Sequence, residues 1–310
     1  MHPTIRQFVD SAAGHWFDWT NHGQRNRHRF YHDACGLRIL NFHETPDRCF
    51  ERFAKIVRRA LDKYKPATPD DVDAMMDGQL PHLNSDRVLF TFDDGYESNY
   101  RAARWLAEEG IRAIFFVVPS FLDRSPNRYL AYHRTNGISA YNFTHRCNTE
   151  SPRGLTSGQV KEMHAMGHRI GGHNYAHRNL GRLRNQADLD YEIGRTVGEL
   201  SDLLATPCED FAFAFGFNQH LSAEAAQYLA NKCKRVYSAV RGLNVSSDTP
   251  PGMLLRITIQ PERSMAFSMT AMEGALDHRS HSQRASLRDR FPYTKQVATN
   301  RRSTVLASGY

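Results

Sequence analysis

The sequence predicts a parallel α/β fold, and three observations carry that expectation. Val88–Phe92 is a short apolar, β-branched run that reads as a buried strand and stops abruptly at Asp93, Asp94 and Gly95. A helical stretch follows from Glu97 to Glu109, closed by Gly110. Ile111–Val118 is then a second strand, and strands and helices of this length keep alternating to the end of the chain.

In chain order, residues 1–36 are polar, aromatic and His-rich without clear periodicity, and are expected to be an N-terminal extension. Leu37–Phe42 is a strand candidate ending at His43. Thr45 is placed to cap a helix with Pro46 in its first turn, and Phe50, Phe53, Ala54, Val57, Leu61 and Tyr64 then recur at helical spacing. Lys65–Asp73 holds two prolines and reads as a loop opening a short helix. Pro119–Arg153 has no clean period, and a loop of that length in a compact domain is commonly functional. It is expected to lie over the site, with Tyr129, Tyr132 and Tyr141 as candidate rings for stacking on sugars. Leu155–His168 is a helix with Thr156 and Gln159 spaced as a capping box, and Arg169–Gly172 a short strand. Asp188–Leu204 is amphipathic, with Leu189, Ile193, Val197, Leu200 and Leu204 on one side. Phe211–Phe217, Val236–Val240 and Leu254–Ile259 are strands, and Ala223–Cys233 and Pro261–His278 are helices. The Ser/Arg-rich remainder, 279–310, is expected to be a mobile basic tail. The organisation expected is thus an extension (1–36), one catalytic domain (37–278) and the tail.

The net charge of +7 is unevenly spread: residues 279–310 hold seven Lys/Arg and one Asp, which leaves the rest of the chain near neutral. The basicity therefore belongs to the tail and does not mark a nucleic-acid-binding face. It suits an anionic membrane surface or a lipid-linked phosphate. Five cysteines, Cys35, Cys49, Cys147, Cys208 and Cys233, form no C-x-x-C pair, which argues against a disulfide framework or a structural zinc site. Residues 1–30 contain no apolar run of the secretory type, so the expected compartment is the cytoplasm.

The chemistry sits in two motifs. Adjacent carboxylates at a strand end repel each other and are costly to desolvate; a divalent cation removes that cost. Taken alone, Asp93-Asp94-Gly95 is more simply a turn. Gly171–His177, GGHNYAH, changes the balance: His173 and His177 are four apart, the spacing that places two imidazoles on one side of a helical turn. Asp94, His173 and His177 then make a carboxylate-and-two-imidazole set with coordination positions left open. Non-haem iron oxygenases use the same donor types, but with His-x-Asp/Glu on one strand and a distant second His. Among sixteen histidines chance pairs occur, and His164/His168 is read as a helix end. Trp105 is read as helix core.

TFDDGY followed by I-G-G-H-N-Y-A-H resembles the polysaccharide deacetylases, carbohydrate esterase family 4, which share the NodB homology domain. The resemblance runs from about Ile39 to His278. It implies a distorted (β/α) barrel, in the family's regular or circularly permuted order. It implies metal-dependent hydrolysis of an N-acetyl group on an amino sugar, oligosaccharide or polysaccharide precursor, with Zn2+ or another divalent first-row metal on Asp94, His173 and His177. By position, Asp93 matches the family's general base, and Arg256 matches the arginine that holds it. The backbone around Phe215 matches the oxyanion donor, and His43 matches the histidine that serves the leaving group in permuted members. Relatives commonly carry proline before that aromatic, where this chain has Ala214. That departure keeps open a catalytically inactive glycan-binding relative, alongside a deformylase or other amide hydrolase on a lipid-linked amino sugar.

Overall fold

A computed structural model describes residues 3–76, 85–123, 153–245 and 253–290. Strands β1 (Leu37–Phe42) and β3 (Arg87–Phe92) lie parallel, paired from Leu37↔Arg87 to Phe42↔Phe92. The short β2 (Lys65–Pro66) pairs with the start of β3. Strands β4 (Ile114–Val117), β5 (Arg169–Gly172), β6 (Asp210–Ala212) and β7 (Arg235–Tyr237) add on in chain order, every pair parallel. The sheet curls until one stretch reaches both of its edges. Within it β8 (Met253–Leu254) pairs with β7, and β9 (Ile257–Thr258) pairs with β1. Leu254–Ile259 was expected as one strand; it breaks at Leu255 and Arg256, where the stretch passes from one edge to the other. The architecture is the distorted (β/α) barrel that the resemblance implies.

Alternation along the strands sorts side chains into two layers. Leu40, Phe42, Phe90, Phe92 and Phe115 point outward and pack on Phe53, Ile56, Val57 and Leu106 of the surrounding helices. The Phe92 and Phe115 rings stack at 4.5 Å, and Trp105 packs edge-on against Phe50 and Phe53 as core. The opposite register fills the interior with Leu37, Ile39, Leu89, Ile114, Phe116 and Tyr237. Toward the C-terminal strand ends the same register turns polar, at Asn41, Thr91 and Asp93. The C-terminal face is where (β/α) barrels carry their sites.

Helix limits follow the sequence signals where those are local. The helix Ser157–Ala165 has the expected capping box of Thr156 and Gln159, and Gly110 after Ser98–Glu108 takes φ +74°. Thr45, by contrast, does not cap the helix Asp47–Lys63, whose N-cap is Pro46 with no side-chain bond. Its hydroxyl instead donates to the Ser98 carbonyl at 3.0 Å, tying two helix starts together.

Both chain ends depart from expectation. Residues 1–36 contain two helices, Pro3–Trp19 and His22–Tyr31. The first lies against the helix Met265–Met272 so closely that a Cβ on Gly14 would sit 2.5 Å from the Ala266 carbonyl carbon. Asn26 donates to the Gly274 and Ala275 carbonyls at 2.8 and 3.0 Å. The periodicity was obscured because aromatic residues occupy two faces, Phe17 inward, Phe8, Trp16 and Trp19 outward. The expected helix Pro261–His278 is Met265–Met272 plus a short turn, Asp277–Ser280. The tail, expected to be mobile from 279, begins as a helix, His281–Arg290. Its Arg284 is buried, donating to the Arg241 and Asp277 carbonyls at 2.8 and 2.7 Å, and lies over the Phe30 and Tyr31 rings. Residues 291–310, and 124–152 of the long loop with Tyr129, Tyr132 and Tyr141, lie outside the described residues.

Leu287, 1% exposed, anchors the last helix. Leu287→Ala is expected to lower unfolding free energy by about 2–5 kcal/mol, since it opens a cavity in packed surroundings. Denaturant titration checks this, and a loss under ~0.5 kcal/mol would mean the helix is not part of the domain.

Candidate metal centre

β3 ends one bond past its last residue: the Asp93 amide still donates to the Phe42 carbonyl, at 2.9 Å. Asp94 and Gly95 then take φ +75° and +71°. A non-glycine residue in that region is strained. Here the turn sends the two neighbouring carboxylates to different partners.

Asp94 Oδ1 lies 3.3 Å from His173 Nε2 and 3.2 Å from His177 Nε2. The three side chains are buried, and their ligand atoms lie within 4.8 Å of one another. Their meeting does not come from a helical turn, as the spacing suggested. His173 follows β5, and the chain bends through an irregular loop with Asn174 at φ 57° and His177 at φ 52°. His173 Nδ1 is 2.6 Å from the Ala212 carbonyl. A carbonyl only accepts, so Nδ1 carries a proton, and Nε2 is the ring nitrogen left to face Asp94. Burial raises the Asp94 carboxyl, but the two imidazoles outweigh burial and hold it well below the usual carboxylate range. Asp94 Oδ1 nevertheless has no hydrogen-bond partner. A buried carboxylate oxygen left unmet between two imidazole nitrogens fits a divalent cation, which would complete all three.

Asp93 is fully provided for. Arg256 grips it with two bonds, 2.7 Å to Oδ1 and 2.9 Å to Oδ2, and Asn41 adds a third to Oδ2 at 2.9 Å. Arg256, itself buried, also donates through Nε to the Ser238 carbonyl at 2.9 Å. Burial raises the Asp93 carboxyl, and Arg256, with His173 and His43 behind it, brings it below the usual range. Asn41 was missed from sequence; the available signal was one amide in the apolar run LRILNF. His43 is exposed just past β1, close enough for its charge to act on both aspartates.

The expected strand Phe211–Phe217 stops at Ala212, because the chain must leave the sheet to reach the site. Phe215 and Gly216 take φ +65° and +67°. Ala214 donates its amide hydrogen to Asn174 Oδ1 at 3.3 Å, a bond that proline could not make. The Phe215 ring is 40% exposed and sits edge-on to His177, centroids 4.9 Å apart.

Glu192, also missed, holds the ligand loop from behind. It lies in a π-helical turn, Asp190–Gly194, between Gln186–Leu189 and Arg195–Leu204. Its Oε2 accepts from the Ala176 and Arg178 amides at 3.0 and 3.4 Å, on either side of His177. The signal was a carboxylate next to Ile193 on the apolar stripe. The second His pair proves structural: His168 is buried, Nδ1 accepting from the Ala113 amide and Nε2 2.8 Å from the Ala103 carbonyl.

Residues 82–233 match the family model described as polysaccharide deacetylase. Among solved structures, IcaB from Ammonifex degensii superposes with a TM-score of 0.56 at 21% identity, over 77% of this chain and 97% of its own. BC0361, a polysaccharide deacetylase from Bacillus cereus, gives 0.57 at 14% identity, over 76% and 69%. The Streptococcus pyogenes deacetylase PplD in complex with acetate gives 0.55 at 18%, over 77% and 99%. At these identities the likeness carries the fold. No curated protein matches the sequence.

Glu192→Ala leaves the Ala176 and Arg178 amides without an acceptor, at a cost of about 1–3 kcal/mol for each buried group. Faster hydrogen exchange at those two amides is the expected outcome, with Glu192→Gln close to wild type because it keeps an acceptor oxygen. Equal protection in Glu192→Ala and wild type would show that the carboxylate does not hold the loop.

Proposed function

We propose, from the match of residues 82–233 to the polysaccharide deacetylase family model, that this protein hydrolyses the N-acetyl amide of an amino sugar. The substrate is an oligosaccharide or polysaccharide precursor, and the products are a free amine and acetate. The observation that carries this reading is the pairing at the end of β3: one aspartate saturated with donors, its neighbour unsatisfied between two imidazoles.

In this reading Asp94, His173 and His177 hold a divalent metal, zinc by first choice for an N/N/O donor set. When bound, it supplies Lewis acidity that lowers the pKa of water and polarises the amide carbonyl. The chain's own groups do the rest. Asp93 takes the proton from the attacking water. Its low basicity suits a water already acidified, and Arg256 and Asn41 keep the carboxylate aimed. The Phe215 amide offers a donor to the oxyanion. His43, at the rim, delivers a proton to the departing amine. The hydrogen bond from Ala214 to Asn174 supports a loop that stays anchored without the family's usual proline. This weighs against an inactive relative. The basic residues beyond 290 are proposed to touch an anionic membrane surface or lipid-linked phosphate, in the cytoplasm.

Separating the two aspartates tests the assignment. Asp93→Asn cannot accept the proton, so turnover should fall by about 10²–10⁴ with metal still bound. The variant should also lose roughly 3–5 kcal/mol of stability, because Arg256 is left without its counter-charge. Asp94→Asn should lose metal and activity together. Metal analysis of both proteins, with amine and acetate release from N-acetylated sugars, reads the result. Metal lost from the Asp93 variant and kept in the Asp94 variant would exchange the two roles.

A further inference from the structure

Beside the triad lies a pocket of about 410 Å³, walled by His177 on the site side and by Phe215, His220, Arg178 and Arg182. Among the described residues no carboxylate lines it. The loop that forms one wall carries three arginines, and two are used inside the fold. Arg178 pairs with Asp188 at 2.7 Å and stands 3.8 Å from Glu192. Arg184 stands 3.6 Å from Glu224 and donates to the Gly181 and Leu183 carbonyls. Arg182 has no side-chain partner among the described residues; only its amide is bonded, to the Asn179 carbonyl. A guanidinium that neighbours leave unpaired, beside others that are paired, is available to a ligand.

Another part of the lining is an aromatic shelf. Phe215 is one of few large apolar side chains left exposed in the described residues, and it is held by rings on two sides, His177 at 4.9 Å and His220 at 5.1 Å. Its backbone is fixed at φ +65°. A flat ring held rigidly beside the reacting position suits the apolar face of a pyranose, and a free guanidinium lining the same pocket suits a negative substituent on that sugar.

We propose that this pocket is a subsite for the sugar next to the one deacetylated, and that it selects a sugar carrying an anionic group, carboxylate or phosphate, through Arg182. This deepens the deacetylase reading and rests on it. Phe215 sets the plane of the neighbouring ring, and Arg182 chooses its charge. His177 connects the subsite to the triad, so the anionic sugar lies within one residue of the amide to be cut.

The test uses the full-length, zinc-loaded protein and three acetylated oligosaccharides of equal length. One is neutral; in the others the sugar next to the acetylated one bears a carboxylate or a phosphate. The quantity read is kcat/KM for each anionic substrate relative to the neutral one. At low salt the ratio is expected to be roughly tenfold for at least one anion, as for a single charge-assisted contact. It should shrink at about 0.5 M salt, where exposed charges are screened. Arg182→Gln should bring it close to one, and Arg182→Lys should restore part of it. A preference for carboxylate alone marks a sugar acid; for phosphate alone, a phosphorylated sugar. A ratio near one in wild type, or a ratio unchanged in Arg182→Gln, overturns the subsite, while turnover of the neutral substrate leaves the deacetylase reading standing. If none of the three releases amine, that reading falls, and the same ratio taken from dissociation constants decides the subsite.

Discussion

The pair Arg256–Asp93 governs this molecule because it sits where the barrel closes. Arg256 occupies the break between β8 and β9, where the chain leaves one edge of the sheet for the other. Its guanidinium cannot reach water there, and an uncompensated buried charge is among the costliest defects a fold can carry. Asp93 removes that cost from the end of β3, with Ser238 and Asn41 accepting the remaining donors. Closure of the sheet and ionisation of Asp93 therefore depend on each other. A protonated Asp93 would leave Arg256 bare, and a shifted Arg256 would let burial neutralise Asp93. The aspartate at the base position is thus kept charged by the same contact that joins the two edges.

The chain ends serve the same seam. β1 carries Asn41 inward to Asp93 and Arg38 outward to Asp277, a second buried pair at 3.0 Å. Tyr31 donates to that Asp277 carboxylate, and Arg284 to the Asp277 carbonyl. The second N-terminal helix and the last helix thus converge on one residue that braces β1. Asn244 completes the joint, donating to the Leu37 and Leu255 carbonyls and accepting from the Leu255 amide. These terminal segments hold the edge strand against which β9 pairs, which is a structural duty rather than an appendage.

This explains what could be read from sequence. Strand β3 with its Asp-Asp-Gly stop, the capping box at Thr156 and the Gly110 stop were legible because each signal is local. Asp93, Asp94, His173, His177 and Arg256 were legible as residues, and the structure brings them together. The geometry was less so. The two histidines meet through left-handed residues at Asn174 and His177, a property of the loop that a four-residue spacing does not encode. Glu192 and Asn41 act through partners distant in sequence. The basic tail misled because arginine counts as solvated in composition, whereas Arg284 spends its charge on carbonyl oxygens and aromatic faces inside the fold.

The two adjacent carboxylates differ in what each lacks. Asp93 has three donors within 2.9 Å and lacks nothing, so an added cation there would have to displace a guanidinium already in place. Asp94 has no guanidinium, and its Oδ1 faces only two imidazole nitrogens, one of them turned to the site because Ala212 holds the other nitrogen of its ring. A cation entering the site therefore finds one carboxylate already neutralised and the other waiting, although the two are neighbours in the chain. The turn at Asp94 makes this possible: left-handed backbone at one residue rotates its side chain away from its neighbour's partners. Two charges that would repel in an extended strand become separately compensated. The strain of a positive φ is small beside the cost of leaving two buried carboxylates to share one counter-ion.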